Sequence, residues 1–165
     1  MPEPATPARV RIQREDFDLA AELAALHAGD GRVGAVCSFV GTVRDRHAVG
    51  AEAAIQALEL EHYPGMTEKA IEAMIDAAHQ RFDILDARVV HRVGPLLPLE
   101  QIVLVAVSSM NRGESFAACE FIMDYLKTQA PFWKKETTPD GARWVDARES
   151  DDAALARWGI EARNA

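Results

Sequence analysis

The sequence predicts an α+β fold, and three observations carry that expectation. Apolar residues recur at helical spacing in some segments and alternate, or run on continuously, in others. The breaks between extended segments are short turns of hairpin type, which favours a largely antiparallel sheet over a doubly wound one. A chain of 165 residues, 48% hydrophobic and 27% charged, suits one well-buried core. A single domain over residues 1–165 is therefore expected, with the proline-rich residues 1–9 as a fraying tail.

Asp16-Phe17-Asp18 opens a helix over Leu19–His27, with Leu19, Leu23 and Leu26 on one stripe, and Gly29-Asp30-Gly31 stops it. Val33–Val43, rich in Val and Phe, reads as a buried strand, and the polar run Arg44-Asp45-Arg46-His47 forms a loop reaching Gly50. Ile55–Glu61 alternates, with Gln56, Leu58 and Leu60 on one side and Ile55, Ala57 and Glu59 on the other. Pro64 sits where a helix begins, and Ala70, Ile71, Met74, Ile75 and Ala78 supply its apolar stripe. Ala87–Val93 and Ile102–Ser108 read as strands joined by a hairpin connection at Gly94–Pro98.

Ser115–Ala130 is the strongest helical segment, with Phe116, Cys119, Met123, Leu126 and Ala130 in a stripe and Pro131 closing it. Trp133–Thr137 and Ala142–Val145 flank a Pro139-Asp140-Gly141 turn, a hairpin signal. A short helix over Asp152–Trp158 ends the pattern.

Lys+Arg 18 against Asp+Glu 26 gives a net charge of −8. That balance argues against a general nucleic-acid or anionic-membrane surface, so an anionic ligand has to be drawn by a local basic cluster. Cys37 and Cys119 lack metal or disulfide spacing, fall on core-facing positions, and agree with a reducing cytoplasm. The scattered histidines point to no metal, and no glycine-rich phosphate loop or nucleophile elbow occurs. The amino terminus lacks a signal-peptide h-region, and the longest apolar runs are too short for a bilayer.

Chemistry is concentrated near the end of the strong helix. Lys127 precedes Pro131, and Lys134 and Lys135 follow in one extended stretch. Side chains alternate in such a stretch, so one of the two lysines turns back beside Lys127 while the other faces solvent. Two ammonium groups held close bind an oxyanion and depress at least one pKa. Otherwise Lys127 is a solvated lysine paired with Asp124 one turn earlier. Arg44, Arg46 and Arg112 follow strands, where arginine can grip phosphate or carboxylate in a bidentate way. Phe132-Trp133 beside the lysines reads first as aromatic core packing.

Several strings carry a family resemblance: GAVCSFVGTVRD (34–45), LELEHYPGMTEKA (58–70), HRVGPL (91–96), FIMDYLKTQAPFWKKE (121–136) and WVDARESDDAA (144–154). Together they resemble the large-subunit family of molybdopterin synthase, in order over residues 33–158. The resemblance implies an α/β hammerhead with a mainly antiparallel sheet and an added antiparallel subdomain. It implies a sulfurtransferase acting on cyclic pyranopterin monophosphate. The sulfur would come from the C-terminal Gly-Gly thiocarboxylate of a small ubiquitin-like subunit, in a heterotetramer built on a large-subunit dimer. No cofactor is implied, because the sulfur arrives already activated.

By motif, Lys127 of DYLK and Lys134 of FWKK match the family's essential lysines. Arg44 matches a substrate-pocket arginine, with Thr42 and Val43 in the same loop. Arg112 matches the arginine of a His-Arg pair, Lys135 and Glu136 continue the substrate-contacting segment, and Arg148 of DARES reaches toward the neighbouring subunit's pocket. Two departures stand out. Asn111 replaces the histidine of the His-Arg pair and cannot titrate. Leu99 stands where a small turn residue is expected.

Overall fold

The computed structural model describes residues 8–145 and 149–160. Its core is a four-stranded sheet in the order β1-β4-β6-β2, formed by β1 (Val10–Gln13), β4 (Asp86–Arg92), β6 (Gln101–Ser109) and β2 (Ala35–Thr42). β1 runs parallel to β4, and the other neighbours are antiparallel. The central strands β4 and β6 are apolar on both sides because both faces are covered. Val89, Val103, Val105 and Val107 meet helices α2 (Met66–Arg81) and α3 (Arg112–Gln129) through Ile71, Met74, Ile75, Phe121 and Ile122. Val90, Leu104 and Ala106 point the other way, onto Phe17 and Leu26 beside helix α1 (Leu19–His27).

A second sheet, in the order β5-β3-β7-β8, joins β5 (Gly94–Leu96), β3 (Ala57–His62), β7 (Phe132–Thr138) and β8 (Gly141–Val145), antiparallel throughout. Leu58, Leu60 and Leu96 from it pack with Val43 and Val93 in a separate small core. A short helix α4 (Glu149–Ala156) follows.

The expected α+β class and the antiparallel bias hold, with four corrections. Val33–Val43 was expected to be buried, but β2 is an edge strand with Ser38 and Phe39 exposed, because pairing covers only its β6 side. Gly94–Pro98 is more than a hairpin connection: Gly94, with φ of 83°, turns the chain into β5 of the second sheet before it returns to pair β6 with β4. Residues 1–7 lie outside the described ones, but Arg9 is no fraying residue. Its guanidinium is paired with Glu72 and Asp76, and its carbonyl accepts from Val89 N. Phe116 leaves the predicted stripe and is 62% exposed, since the buried face of α3 runs through Ser115, Ala118, Cys119, Ile122 and Leu126.

Local chemistry explains the helix starts. Asp18 Oδ1 accepts from Ala21 N at 3.1 Å and caps α1. The Glu68 carboxylate accepts from Gly65 N at 2.5 Å at the head of α2. Leu99 takes φ of 77°, the conformation that made a small residue expected there, and its side chain is exposed.

Candidate functional site

The two long motif strings meet at one buried hydroxyl. Thr67 is fully buried in the first turn of α2, where its Oγ1 accepts from Tyr63 N at 3.0 Å and donates to Pro131 O at 3.0 Å. That bond fixes the turn between α3 and β7, and so decides where β7 begins relative to the last turn of α3. The sequence strings contain both residues, but nothing local links positions 64 apart.

Strand parity then sorts the lysines. Phe132, Lys134 and Glu136 share one face of β7, while Trp133 and Lys135 share the other. The inner face is identified by Phe132, whose ring stacks on His91 at 3.9 Å with 17° between planes, and by buried Glu136. Lys134 is therefore the lysine that turns inward, register partner to buried Leu60. Lys135 turns outward, its Nζ 5.6 Å from the ring of its cross-strand partner Trp144. Trp133 is 47% exposed, so the core reading holds for Phe132 alone of that pair.

Lys127 is exposed on the last turn of α3, and its charge reaches His91. Asp124, its expected partner, instead accepts from Trp158 Nε1 at 2.8 Å. His91 is buried, and burial holds its imidazole down at about 4, with Lys127 and His62 pushing the same way. Its Nδ1 sits 2.7 Å from the Arg92 carbonyl, which fixes that nitrogen as the donor and leaves Nε2 as the acceptor of a neutral ring. Lys127 thus acts on a neutral His91–Phe132 stack, and Lys134 leaves the same face of β7 two residues beyond Phe132.

Arg44 begins the loop after β2 and is exposed, with Nη1 donating to His47 O at 3.4 Å. His47 Nε2 stands 3.1 Å from Glu136 Oε2. Glu136 lies two residues beyond Lys134 on the same face, roughly 6.6 Å along the strand. Lys134 and Glu136 therefore share the inner face of β7, with Arg44 linked to Glu136 through His47 and Lys127 on the last turn of α3.

The structure separates other predicted residues from Lys127. Arg112 is the first residue of α3 and Lys127 lies near its end, so about 22 Å of helix divides them. The expected constellation of Arg44, Arg112, Lys127 and Lys134 is not assembled within one chain. Asn111 is exposed at the cap of α3, makes no side-chain capping bond, and shares Arg112's distance. Val43 is corrected to a core residue: its side chain is buried, its N–H donates to Glu100 O and its carbonyl accepts from Leu99 N. Thr42 remains exposed at the end of β2, where a register shift follows Gly41. Arg148 lies outside the described residues.

Cys119 is buried on α3 and burial pushes its thiol up, with the nearby Cys37 adding to the effect, so it makes a poor nucleophile. Sequence reasoning missed His91, His47 and Thr67. A histidine inside an otherwise apolar strand was the available signal for His91; the other two act only through distant partners.

Comparison with known proteins agrees with this architecture. The model of the MoaE protein family matches residues 12–129. The molybdopterin synthase catalytic subunit of Ralstonia nicotianae is 64% identical over 156 residues, covering 94% of this chain and 87% of that protein. The protein of the same name from Vibrio cholerae is 53% identical over 150 residues, covering 91% and 97%. Among solved structures, the molybdopterin biosynthesis MoaE protein from Burkholderia ambifaria is 62% identical, covers 93% of this chain and 99% of its own, and superposes with a TM-score of 0.79.

Proposed function

This chain belongs to the MoaE protein family, and on that premise we propose that it is the catalytic subunit of molybdopterin synthase, a sulfurtransferase of molybdenum cofactor biosynthesis. It takes sulfur from the thiocarboxylated C-terminal Gly-Gly of a small ubiquitin-like subunit and delivers it to cyclic pyranopterin monophosphate. Two transfers complete the dithiolene. Each forms a carbon–sulfur bond on the precursor in place of a carbon–oxygen bond there, the oxygen leaving as water or on the opened phosphate ester, and breaks the acyl carbon–sulfur bond of the tail, which leaves as a carboxylate once water supplies its oxygen.

The observation that carries this reading is that Lys127 acts on the His91–Phe132 stack while Lys134 leaves the same face of β7 as Phe132, in a chain so similar to named catalytic subunits. A thiocarboxylate is anionic, and displacing its sulfur builds negative charge on the acyl oxygen. Two ammonium groups stabilise that charge, and either can hand a proton to the departing group. The neutral His91 near Lys127 adds no competing positive charge. Arg44, in the loop that His47 brings to Glu136, binds the precursor phosphate through charge-assisted hydrogen bonds, beside Thr42. Glu136 fixes the loop that carries Arg44, and Lys135 contacts substrate only from the outer face, beside Trp144.

Asn111 and Arg112, at the other end of α3 from Lys127, are assigned to the site of a second copy, in the dimer that the family resemblance implies, with a small subunit at each end. Arg148 is assigned to the neighbouring subunit's pocket on the same ground. No cofactor enters the reaction. Among the described residues no helix is long and apolar enough to cross a membrane. A cytoplasmic location is the reading favoured by two cysteines without disulfide or metal spacing.

Reconstitution tests the assignment: the purified chain, a thiocarboxylated small subunit and the precursor should yield dithiolene. A small subunit lacking its terminal Gly-Gly should yield none and bind markedly more weakly. Tail binding without dithiolene would leave a docking protein, and phosphate-ester hydrolysis without sulfur transfer would indicate a different enzyme.

A further inference from the structure

The loop from Arg44 to Ala54 closes on itself. Ala54 N and Ile55 N both donate to Asp45 O, at 2.8 and 2.9 Å. Arg46 is held by the Asp45 carboxylate at 2.6 and 3.0 Å and donates to Ala51 O at 3.1 Å. Beyond that the loop stands in solvent, with Val49 fully exposed. Its side-chain contact with the second sheet is His47, whose Nε2 lies 3.1 Å from Glu136 Oε2 and 3.5 Å from Arg143 Nη2.

Glu136 Oε2 is buried and makes no hydrogen bond among the described residues, so its cationic neighbours are what it meets. Arg143 is its register partner on β8, and Arg143 Nη2 stands 3.7 Å from the same carboxylate oxygen. What His47 supplies is a contact between that buried carboxylate and the exposed part of the loop. The same residue's carbonyl accepts from Arg44 Nη1. One histidine thus holds the sheet with its ring and the arginine with its backbone.

We propose that His47 is a positioning residue that sets where Arg44 presents its guanidinium, by pinning the Arg44–Ala54 loop to buried Glu136. The inference rests on the reading of Arg44 as the ligand of the precursor phosphate. An arginine on a loop free to move by an ångström or more binds its anion less well, while the chemistry at Lys127 and Lys134 is untouched. The loss therefore falls on precursor binding rather than on the transfer step.

The test uses the reconstituted synthase, the thiocarboxylated small subunit and the precursor, comparing wild type with His47→Ala, His47→Gln and Arg44→Ala. His47→Ala should raise KM for the precursor about tenfold with kcat within about threefold, and His47→Gln, which restores an N–H toward Glu136, should recover most of the loss. In the Arg44→Ala background, His47→Ala should add less than about twofold, because both changes remove one interaction. Hydrogen exchange at Ala54 and Ile55 should quicken in His47→Ala while exchange in β4 and β6 stays unchanged, a readout independent of turnover. Unchanged KM in His47→Ala, a fall in kcat alone, or full additivity with Arg44→Ala would each overturn the proposal. If Arg44→Ala itself leaves KM unchanged, the phosphate assignment falls and the positioning role falls with it, while exchange still reports whether the pin exists.

Discussion

Replacing His91 with phenylalanine should flatten part of the protein's pH-dependent stability, and the structure gives the size of the effect. Burial lowers the imidazole from its ordinary 6.5 to about 4, with Lys127 and His62 adding to the shift and the Arg92 carbonyl opposing it. The unfolded chain therefore binds this proton more readily than the folded one between those two values. Stability is full above about pH 6.5, falls as pH drops, and levels off below about 4. At about 1.4 kcal/mol per pH unit the whole window is worth about 3 kcal/mol, most of it lost by pH ~4.5. That is a large share of a typical domain's stability of about 5–15 kcal/mol. Phenylalanine keeps a flat ring against Phe132 and cannot titrate. Urea denaturation of both proteins at several points from pH ~7.5 to ~4.5 isolates the histidine, since the remaining titrating groups are shared. Wild type should lose roughly 2–3 kcal/mol more than the variant. Parallel curves, differing by under about 0.5 kcal/mol over that range, would refute the claim that a buried neutral His91 lies near Lys127.

Three further outcomes are expected. Lys127→Ala should nearly abolish dithiolene formation while shifting stability by under about 0.5 kcal/mol, because the side chain is exposed; activity within a few-fold of wild type in the folded variant would remove Lys127 from the chemistry. Thr67→Val leaves Pro131 O without its donor and should cost about 1–3 kcal/mol by denaturation, with a loss of activity as β7 loosens against α3; a variant as stable as wild type would show that the hydroxyl does not hold the turn. Asn111→His should alter the pH profile of turnover near ~6.5 more than its maximum, and a rise of orders of magnitude from a near-zero baseline would mark the natural chain as a tail-binding paralogue.

Much of the candidate site was legible because local rules govern it. Alternation in an extended segment requires Lys134 and Lys135 to face opposite ways, and the structure shows them doing so. Helical spacing and the Asp18 cap placed α1 at its observed bounds, and the two central strands were visible as apolar runs. Errors arose where an apolar residue has two homes. Val43 reads equally as a binding-loop residue and as the core residue it is, and Phe116 fits a helical stripe although no layer covers it.

By itself the sequence determined the periodicities, the caps, the turn chemistry and the strings that assign the family, since each depends on neighbours a few residues apart. Tertiary structure alone decided which lysine points inward, that β2 is an edge, that β5 leaves for the second sheet, and that α3 holds Arg112 some 22 Å from Lys127. It also decided the contacts of Thr67 with Pro131 and of His47 with Glu136, between positions far apart in the chain. The physical reason is that backbone sterics act over a turn or a strand, whereas the place of a charge or a hydroxyl depends on how the layers stack. Side chains distant in sequence then meet because packing the apolar faces leaves them one shared polar edge.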